Sequence, residues 1–543
     1  MMSGTTRSRL RPRFLGLVSA LVSVSVLSAP AAWGRITVIG IDGGSWNVID
    51  AMWQARELPN LAALAKRGVT ADFTTVKPLN SPTVWTSIAT GRKPRAHGVT
   101  DFQATRITIR VPTLFERLAL LGFRVGLYGY LVTWPPAALP DGFVIPGWLR
   151  HDDRVSPPDA WDQIDLSPWV MAYEDDLERE DLLRLSQVEF ARKAARWNQL
   201  AAAFDLDVGA VVFDSVDTVS HRFWNAAFPE DFRPKHRLPE PAPKEHRTAI
   251  HEAVRRMDLA VGEITSALGP EDPVIIVSDH GFQAAGGGAS NVWVPQLSAA
   301  LARADLDPAR DGFHVITRFG IVIIEVHEGP FEEREKTLER LVAELASWRS
   351  SDGERLFDTN VIEAAARPAG QRMSVFRRLK QWGIKFVMQH LYKMNADRPG
   401  HAYIFARPRD DVLSDLWPNG RIEAGGKQLE IDEAYYRDSF SGEHDPVGIF
   451  IAAGGPIARR AQRARLSVVD VAPLIFYLAG AAIPDDLEGK LPSRILDAEY
   501  LATHPPRKVA ADTLAEFPPI LEAVDPVEDR ELVEKLRRLG YVR

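Results

Sequence analysis

The chain predicts an α/β fold built on a mostly parallel sheet that is covered by helices on both faces. Three observations lead there. Four apolar, β-branched runs each adjoin a carboxylate or a histidine: Arg-Ile-Thr-Val-Ile-Gly-Ile ends at Asp42, Val-Gly-Ala-Val-Val-Phe leads towards Asp217 and His221, Asp-Pro-Val-Ile-Ile-Val-Ser ends at Asp279 and His280, and Val-Gly-Ile-Phe-Ile-Ala-Ala-Gly follows His444. Continuous apolar runs suit strands buried on both faces rather than strands with one wet face. Helical patterns alternate with these runs, and 543 residues with 45% hydrophobic content suffice for one large core carrying insertions.

Taken in order, residues 1–31 read as a signal peptide. Arg7, Arg9, Arg11 and Arg13 form a basic start, Phe14 to Ser28 is apolar, and Ala29-Pro30-Ala31 supplies small residues for cleavage. That apolar run is short for a membrane span, and an uncleaved anchor is the competing reading. The first part of the core occupies 32–289. Helices are expected at Leu58 to Arg67 and Pro112 to Leu121, and a strand at Arg124 to Tyr130. An irregular insertion rich in Asp, Trp and Pro follows at about 150–188, then a helix from Glu189 to Phe204. A helix from Glu245 to Leu268 is stopped by Gly269-Pro270. Residues 290–440 form the longest insertion, expected to be a cap subdomain with a strand pair near Phe313 to His327, a helix from Phe331 to Ser347 and an amphipathic helix at 374–394. The core closes over 441–500, and a charged tail covers 501–543.

Composition narrows the chemistry. The formal charge is −7, and removing the four arginines of residues 1–31 takes it to −11, which argues against nucleic-acid polymers as partners. There is no cysteine, so disulfides, thiolate metal sites and cysteine nucleophiles are excluded. Any metal must be held by histidine and carboxylate.

Asp217 and His221, spaced i, i+4, share one face of a helical turn. His444 completes a nitrogen and oxygen donor set that suits Zn²⁺ and leaves a coordination position open. Asp42, Asp279 and His280 form a second such set. Ligands of open α/β sheets gather at the carboxyl ends of the strands, so residues far apart in the chain converge there. Two ions about 4 Å apart clamp the attacking and leaving oxygens of an in-line displacement. Alone, an aspartate after a strand is more often a helix cap or turn former; the weight lies in the set.

The motifs stand in the order VIGIDGG, SPTVWTSIATGRKPRAHGV, DTVSH, SDHGF and GEHDPVG. In that order they resemble the alkaline phosphatase superfamily, in particular its type I phosphodiesterase/nucleotide pyrophosphatase branch. The likeness covers about 35–102, 205–282 and 442–489 and breaks across both insertions. It implies an alkaline phosphatase-like three-layer sandwich and two Zn²⁺ ions, on donors that also accept Mn²⁺. It assigns Asp42, Asp217, His221, Asp279, His280 and His444 as metal ligands. The family's alcohol nucleophile lies ten residues before the glycine of an S-I-x-T-G segment; counting back from Gly91 gives Ser81, which would be both ligand and nucleophile and would form a covalent phosphoseryl intermediate.

The chain also departs from the family. Many members use threonine, and Thr83 is the rival to Ser81. Where nucleotide pyrophosphatases carry an asparagine after H-G-I, this chain reads HGVTDF, and a carboxylate at Asp101 repels a phosphate oxygen unless a cation intervenes. Sulfatase maturation needs C/S-x-P-x-R, which Ser81-Pro82-Thr83 does not supply. Asn80 is a candidate donor to a phosphate oxygen or else a turn residue. His97 is expected to bond backbone behind the nucleophile loop, His401 to stand in reserve for His444, and Asp214 to serve as a turn or supporting residue outside the site.

The 374–394 stripe of Val375, Phe376, Leu379, Trp382, Phe386 and Leu391, ringed by basic residues, fits a membrane surface or a lipid substrate, or packs inward as an ordinary cap helix. Trp161 and Trp169 are candidates to line the substrate entrance. Together these readings describe a periplasmic or secreted two-metal phosphoric ester hydrolase, phosphodiesterase-like, acting on a small phosphate ester or phospholipid-type substrate. A phosphomonoesterase, and a transferase moving a phospho-head group onto envelope lipid or glycan, are the alternatives on the same residues.

Overall fold

A computed structural model describes residues 34–519 with breaks, the longest at 161–178, 364–401 and 410–420. The signal-peptide region, Trp161, Trp169, the 374–394 helix, His401 and the end of the tail lie outside the described residues.

Eight strands form the central sheet: β1 (Ile36–Ile41), β2 (Gly68–Thr74), β3 (Val125–Tyr130), β4 (Phe143–Pro146), β5 (Val208–Phe213), β6 (Val274–Val277), β7 (Val447–Ala453) and β8 (Ala464–Ser467). Their spatial order is β8-β2-β7-β6-β1-β5-β3-β4. The β6, β1, β5, β3 and β4 neighbours pair parallel, as do β8 and β2. Only β7 opposes both of its neighbours, β2 and β6. The sheet is therefore mostly parallel, with one reversed strand inside it.

Helices cover both faces: α1 (Trp46–Gln54), α2 (Pro59–Arg67), α3 (Ser81–Thr90), α4 (Leu114–Leu120), α5 (Arg179–Ala203), α6 (Ser215–Ala227), α7 (Lys244–Ser266), α8 (Phe331–Ser347) and α9 (Val471–Leu478). Successive strand residues point to opposite faces, which divides the core in two. Val38, Val212, Ile275 and Phe450 pack with Trp85 of α3, Phe115 of α4 and Leu474 of α9. Ile39, Val211, Ile276 and Ile451 pack with Ile49 of α1, Leu61 of α2, Trp197 of α5, Val219 of α6 and Ile250 of α7. The result is a three-layer sandwich. Truncating any of these buried leucines or isoleucines to alanine costs about 2–5 kcal/mol.

The stretch expected to be irregular up to residue 188 is helical from Arg179, since α5 starts there. Its first turns carry Leu182, Leu183 and Leu185, of which Leu183 is buried, so the apolar signal for the earlier start is present in the sequence. Between β6 and β7 the chain makes a long excursion. It leaves through a strand at Gly281–Ala284 and returns through Gly442–Asp445, which pairs with it antiparallel, His444 opposite Phe282. The excursion has its own core, with Leu341, Trp348, Phe357 and Ile404 packing α8 against a four-stranded antiparallel sheet that includes Phe313–Arg318 and Ile321–Val326. Among the described residues, no helix is long and apolar enough to cross a membrane.

Candidate metal centre

β1 carries Asp42 just past its last residue, and the Asp42 N–H donates to Phe213 O at 2.8 Å, tying β1 to β5. The chain then turns within one residue. Gly43 has φ +71°, and a Cβ there would come within 2.9 Å of Asp217 Cα, so the position demands glycine. Its N–H donates to Asp279 Oδ1 at 3.3 Å.

Ser81 opens α3. Asn80 caps that helix: its Oδ1 accepts from Thr83 N at 3.1 Å, while its Nδ2 donates to Thr100 O at 3.1 Å. The Ser81 hydroxyl lies 3.4 Å from Asp42 Oδ1 and 3.5 Å from His280 Nε2. Thr83 Oγ1 is buried and has no hydrogen-bond partner among the described residues. Asp217 sits in the first turn of α6 with His221 one turn later, and Asp279 and His280 follow β6. His444 enters from the amino end of β7, and because β7 runs against the other strands, that end lies at their carboxyl ends.

The two trios come together as the sequence suggested. Asp217, His221 and His444 form one and Asp42, Asp279 and His280 the other, with the potential ligand atoms of each within 4.8 Å of one another. In the first, His221 Nε2 and His444 Nε2 stand 3.0 Å apart and lie 3.5 and 3.4 Å from Asp217 Oδ1. In the second, His280 Nε2 is 3.6 Å from Asp42 Oδ1 and 3.2 Å from Asp279 Oδ2. A 3.9 Å approach of His280 Nε2 to Asp217 Oδ1 joins them.

Each imidazole is oriented from behind. The Nδ1–H of His221 donates to Gly442 O at 2.9 Å, that of His444 to Leu79 O at 3.2 Å and that of His280 to Gly281 O at 3.1 Å. Carbonyls on Nδ1 leave the lone pair on Nε2, aimed at the carboxylates. Acceptors then face acceptors, and the buried Asp279 Oδ2 takes no hydrogen bond. Such a donor set fits divalent cations.

The electrostatics agree. Burial, followed by repulsion from Asp279 and Asp217, raises the Asp42 carboxyl well above the usual range. Burial and the Asp217 charge push Asp279 up to about 7. Burial works against charge on Asp217 and on His444 alike, yet attraction between the carboxylate and the protonated imidazoles of His221 and His444 holds Asp217 below the ordinary carboxylate range and raises His444. A cation among neutral imidazoles would replace that positive charge. Burial, then the neighbouring His444, keeps His280 well below the usual imidazole value. Packing this many carboxylates into one buried cluster favours positive charge among them, which two cations would supply.

Other candidates are placed more modestly. His97 donates from Nε2 to Ser87 Oγ at 2.9 Å and accepts from Val99 N at 3.2 Å, which braces the loop behind α3; burial and then Arg92 lower its pKa to about 4. Asp101 accepts from Gln103 N within its own turn. Asp214 pairs with buried Lys193 at 3.6 Å. The sequence pattern gives Trp85 no role, yet its indole N–H donates to Asp42 Oδ2 at 3.1 Å. Its position one turn after Ser81 was the available signal, but nothing in the pattern named its acceptor.

Two Asp/His trios at the carboxyl edge of a parallel sheet, beside a serine hydroxyl, define the class of metal-dependent phosphoric ester hydrolases. The family model for type I phosphodiesterase/nucleotide pyrophosphatase matches residues 36–372, and the chain belongs to that family, within the alkaline phosphatase superfamily. No curated protein matches the sequence. Similar solved structures include murine ectonucleotide pyrophosphatase/phosphodiesterase 5, at 14% identity and TM-score 0.40 over 85% of this chain and 100% of that one. An inactive form of the same murine protein in complex with AMP matches at 14% identity and TM-score 0.40, over 83% and 96%. Phosphonoacetate hydrolase from Sinorhizobium meliloti 1021 in complex with phosphonoformate matches at 16% identity and TM-score 0.39, over 83% and 96%.

Proposed function

We propose that this protein is an exported phosphodiesterase that cleaves small phosphate esters through a covalent intermediate on Ser81. The observation that carries the reading is the Ser81 hydroxyl, 3.4 Å from Asp42 Oδ1 and 3.5 Å from His280 Nε2, at the start of α3. Asp42, Asp279 and His280 would hold one Zn²⁺, with Ser81 as a further ligand, and Asp217, His221 and His444 the other. When bound, the pair supplies Lewis acidity towards the phosphoryl oxygens and lowers the pKa of a coordinated alcohol or water.

The chain's own groups do the rest. Trp85 and the Gly43 N–H fix the two carboxylates beside Ser81, and the amino end of α3 favours negative charge at Oγ and at the phosphoryl group. Ser81 Oγ bonds to phosphorus as the ester P–O bond breaks and the alcohol departs. Water then cleaves the Oγ–P bond and returns the serine. Asn80, already donating one amide hydrogen to Thr100 O, keeps a second for a phosphoryl oxygen. The N-terminal run 1–31 supports export to a periplasm or to the exterior.

The test pairs two variants and two substrates. Ser81→Ala is expected to abolish turnover of bis-p-nitrophenyl phosphate while keeping the wild-type metal content, and Thr83→Ala to retain turnover. The reverse pattern would move the nucleophile to Thr83. Faster cleavage of p-nitrophenyl phosphate than of its diester would make the protein a phosphatase.

A further inference from the structure

Lys193 of α5 is buried, its side chain 4% exposed, and it is not part of the chemistry described above. Its ammonium donates to Val212 O at 2.9 Å, pairs with the Glu189 carboxylate one turn earlier on α5, and lies 3.6 Å from Asp214 Oδ1. The second oxygen of Glu189 accepts from the Ser215 hydroxyl. The Tyr128 and Phe213 rings stand 5.9 and 5.5 Å from the ammonium. Burying an ammonium costs several kcal/mol unless it is well paired, and a buried ion network of this kind is poor evidence for stability as such.

Its targets are consecutive. Val212 and Phe213 end β5, and Asp214 and Ser215 begin the turn into α6. Asp214 O accepts from Thr218 N at 3.2 Å and from Thr218 Oγ1 at 3.3 Å, so the same turn sets the first coil of the helix. Asp217 lies in that coil and His221 one turn on. α5 therefore grips the backbone that aims two of the three donors of one trio, whereas Trp85 of α3 supports the other trio through Asp42.

We propose that Lys193 is a positioning residue for the Asp217, His221 and His444 trio. Together with Glu189 and Ser215, it fixes the turn from β5 into α6 so that this trio holds its cation. The proposal rests on the two-metal reading above.

The experiment is calorimetric titration of Zn²⁺ into chelator-stripped full-length protein. Lys193→Met is expected to raise one of two dissociation constants about tenfold or more, as loss of a group supporting metal ligands does, and to leave the other unchanged. In a His444→Ala background, where only the Asp42, Asp279 and His280 trio is intact, Lys193→Met should leave the remaining constant unmoved. A purely structural role would weaken both sites alike, and that result overturns the proposal, as does unchanged affinity at both. Ser215→Ala leaves the ion pairs in place and serves if Lys193→Met does not fold; it should weaken the same single site to a smaller degree, and no site-selective effect would again overturn the proposal. Wild-type protein that binds fewer than two ions would overturn the two-metal reading and this inference with it. Two ions in the wild type with no selective loss would overturn the inference alone.

Discussion

Asp486 offers a sharp test of how the sheet's outer layer holds the helix that begins at Ser81. Both its oxygens take hydrogen bonds from Arg117, Nη1 and Nη2 each at 2.7 Å, and Arg92 Nη1 adds a third at 2.8 Å. Arg117 is 3% exposed and Asp486 18%. Arg92 follows Gly91, the left-handed residue that ends α3 at φ +63°, and Gly91 O accepts from the N–H groups of Glu488 and Gly489. Asp486→Asn preserves shape but leaves the Arg117 guanidinium buried without a counter-ion. Removing one partner of a buried pair costs about 3–5 kcal/mol, and the partial exposure of Asp486 argues for the low end.

The pH dependence has a definite sign. Burial alone would raise the Asp486 carboxyl, but the hydrogen bonds and charges of Arg117 and Arg92 hold it below its ordinary value. A depressed folded-state value stabilises the fold above the unfolded carboxylate pKa, and that contribution fades as pH falls through the folded value. Urea unfolding should therefore give a wild-type advantage of about 3 kcal/mol at neutral pH that narrows below roughly pH 4. An advantage under about 1 kcal/mol at neutral pH, the scale of an exposed pair, or one that stays constant into acid, would refute the argument.

Two further substitutions probe the centre from opposite sides. Gly43→Ala places a methyl 2.9 Å from Asp217 Cα on a backbone at φ +71°; it should cost more than about 1 kcal/mol in urea unfolding and weaken Zn²⁺ binding in calorimetry, and wild-type values in both would refute the packing argument. Trp85→Phe removes the N–H held by Asp42 Oδ2, so the affinity of the Asp42, Asp279 and His280 trio should fall about tenfold while the other trio keeps its own. Equal losses at both trios would show that the indole acts through general packing instead.

Much of the centre is legible in the chain because Asp42, Asp279, His280 and His444 flank strands, and apolar runs mark those strands. Asp217 and His221 lie instead in the helix that follows β5, and their i, i+4 spacing carries its own geometry. Even the awkward position of His444, before its strand rather than after it, has a simple explanation: β7 is reversed. The supporting contacts were not legible, since hydrogen bonds from Trp85 to Asp42 and from Lys193 to Val212 O join positions 43 and 19 apart in the chain and leave no periodic trace. Asn80 had two open readings, and its role as the cap of α3 depends on Thr83 N and Thr100 O, neither of which composition reveals. The early start of α5 is carried by Leu182, Leu183 and Leu185, a short apolar signal that runs straight on from an Asp-, Trp- and Pro-rich stretch and is masked by it.

The paired strands Gly281–Ala284 and Gly442–Asp445 carry a consequence for how such a protein can diversify. They clamp both ends of the excursion together, in register, directly beside His444. The core therefore meets the excursion as a fixed two-stranded neck, and the entropic cost of lengthening what lies beyond grows only slowly with length. A lineage can enlarge, trim or exchange that whole region in one step without redrawing the metal-binding end of the sheet. Because His444 is part of the neck, any strain in the exchanged region reaches the Asp217, His221 and His444 trio first.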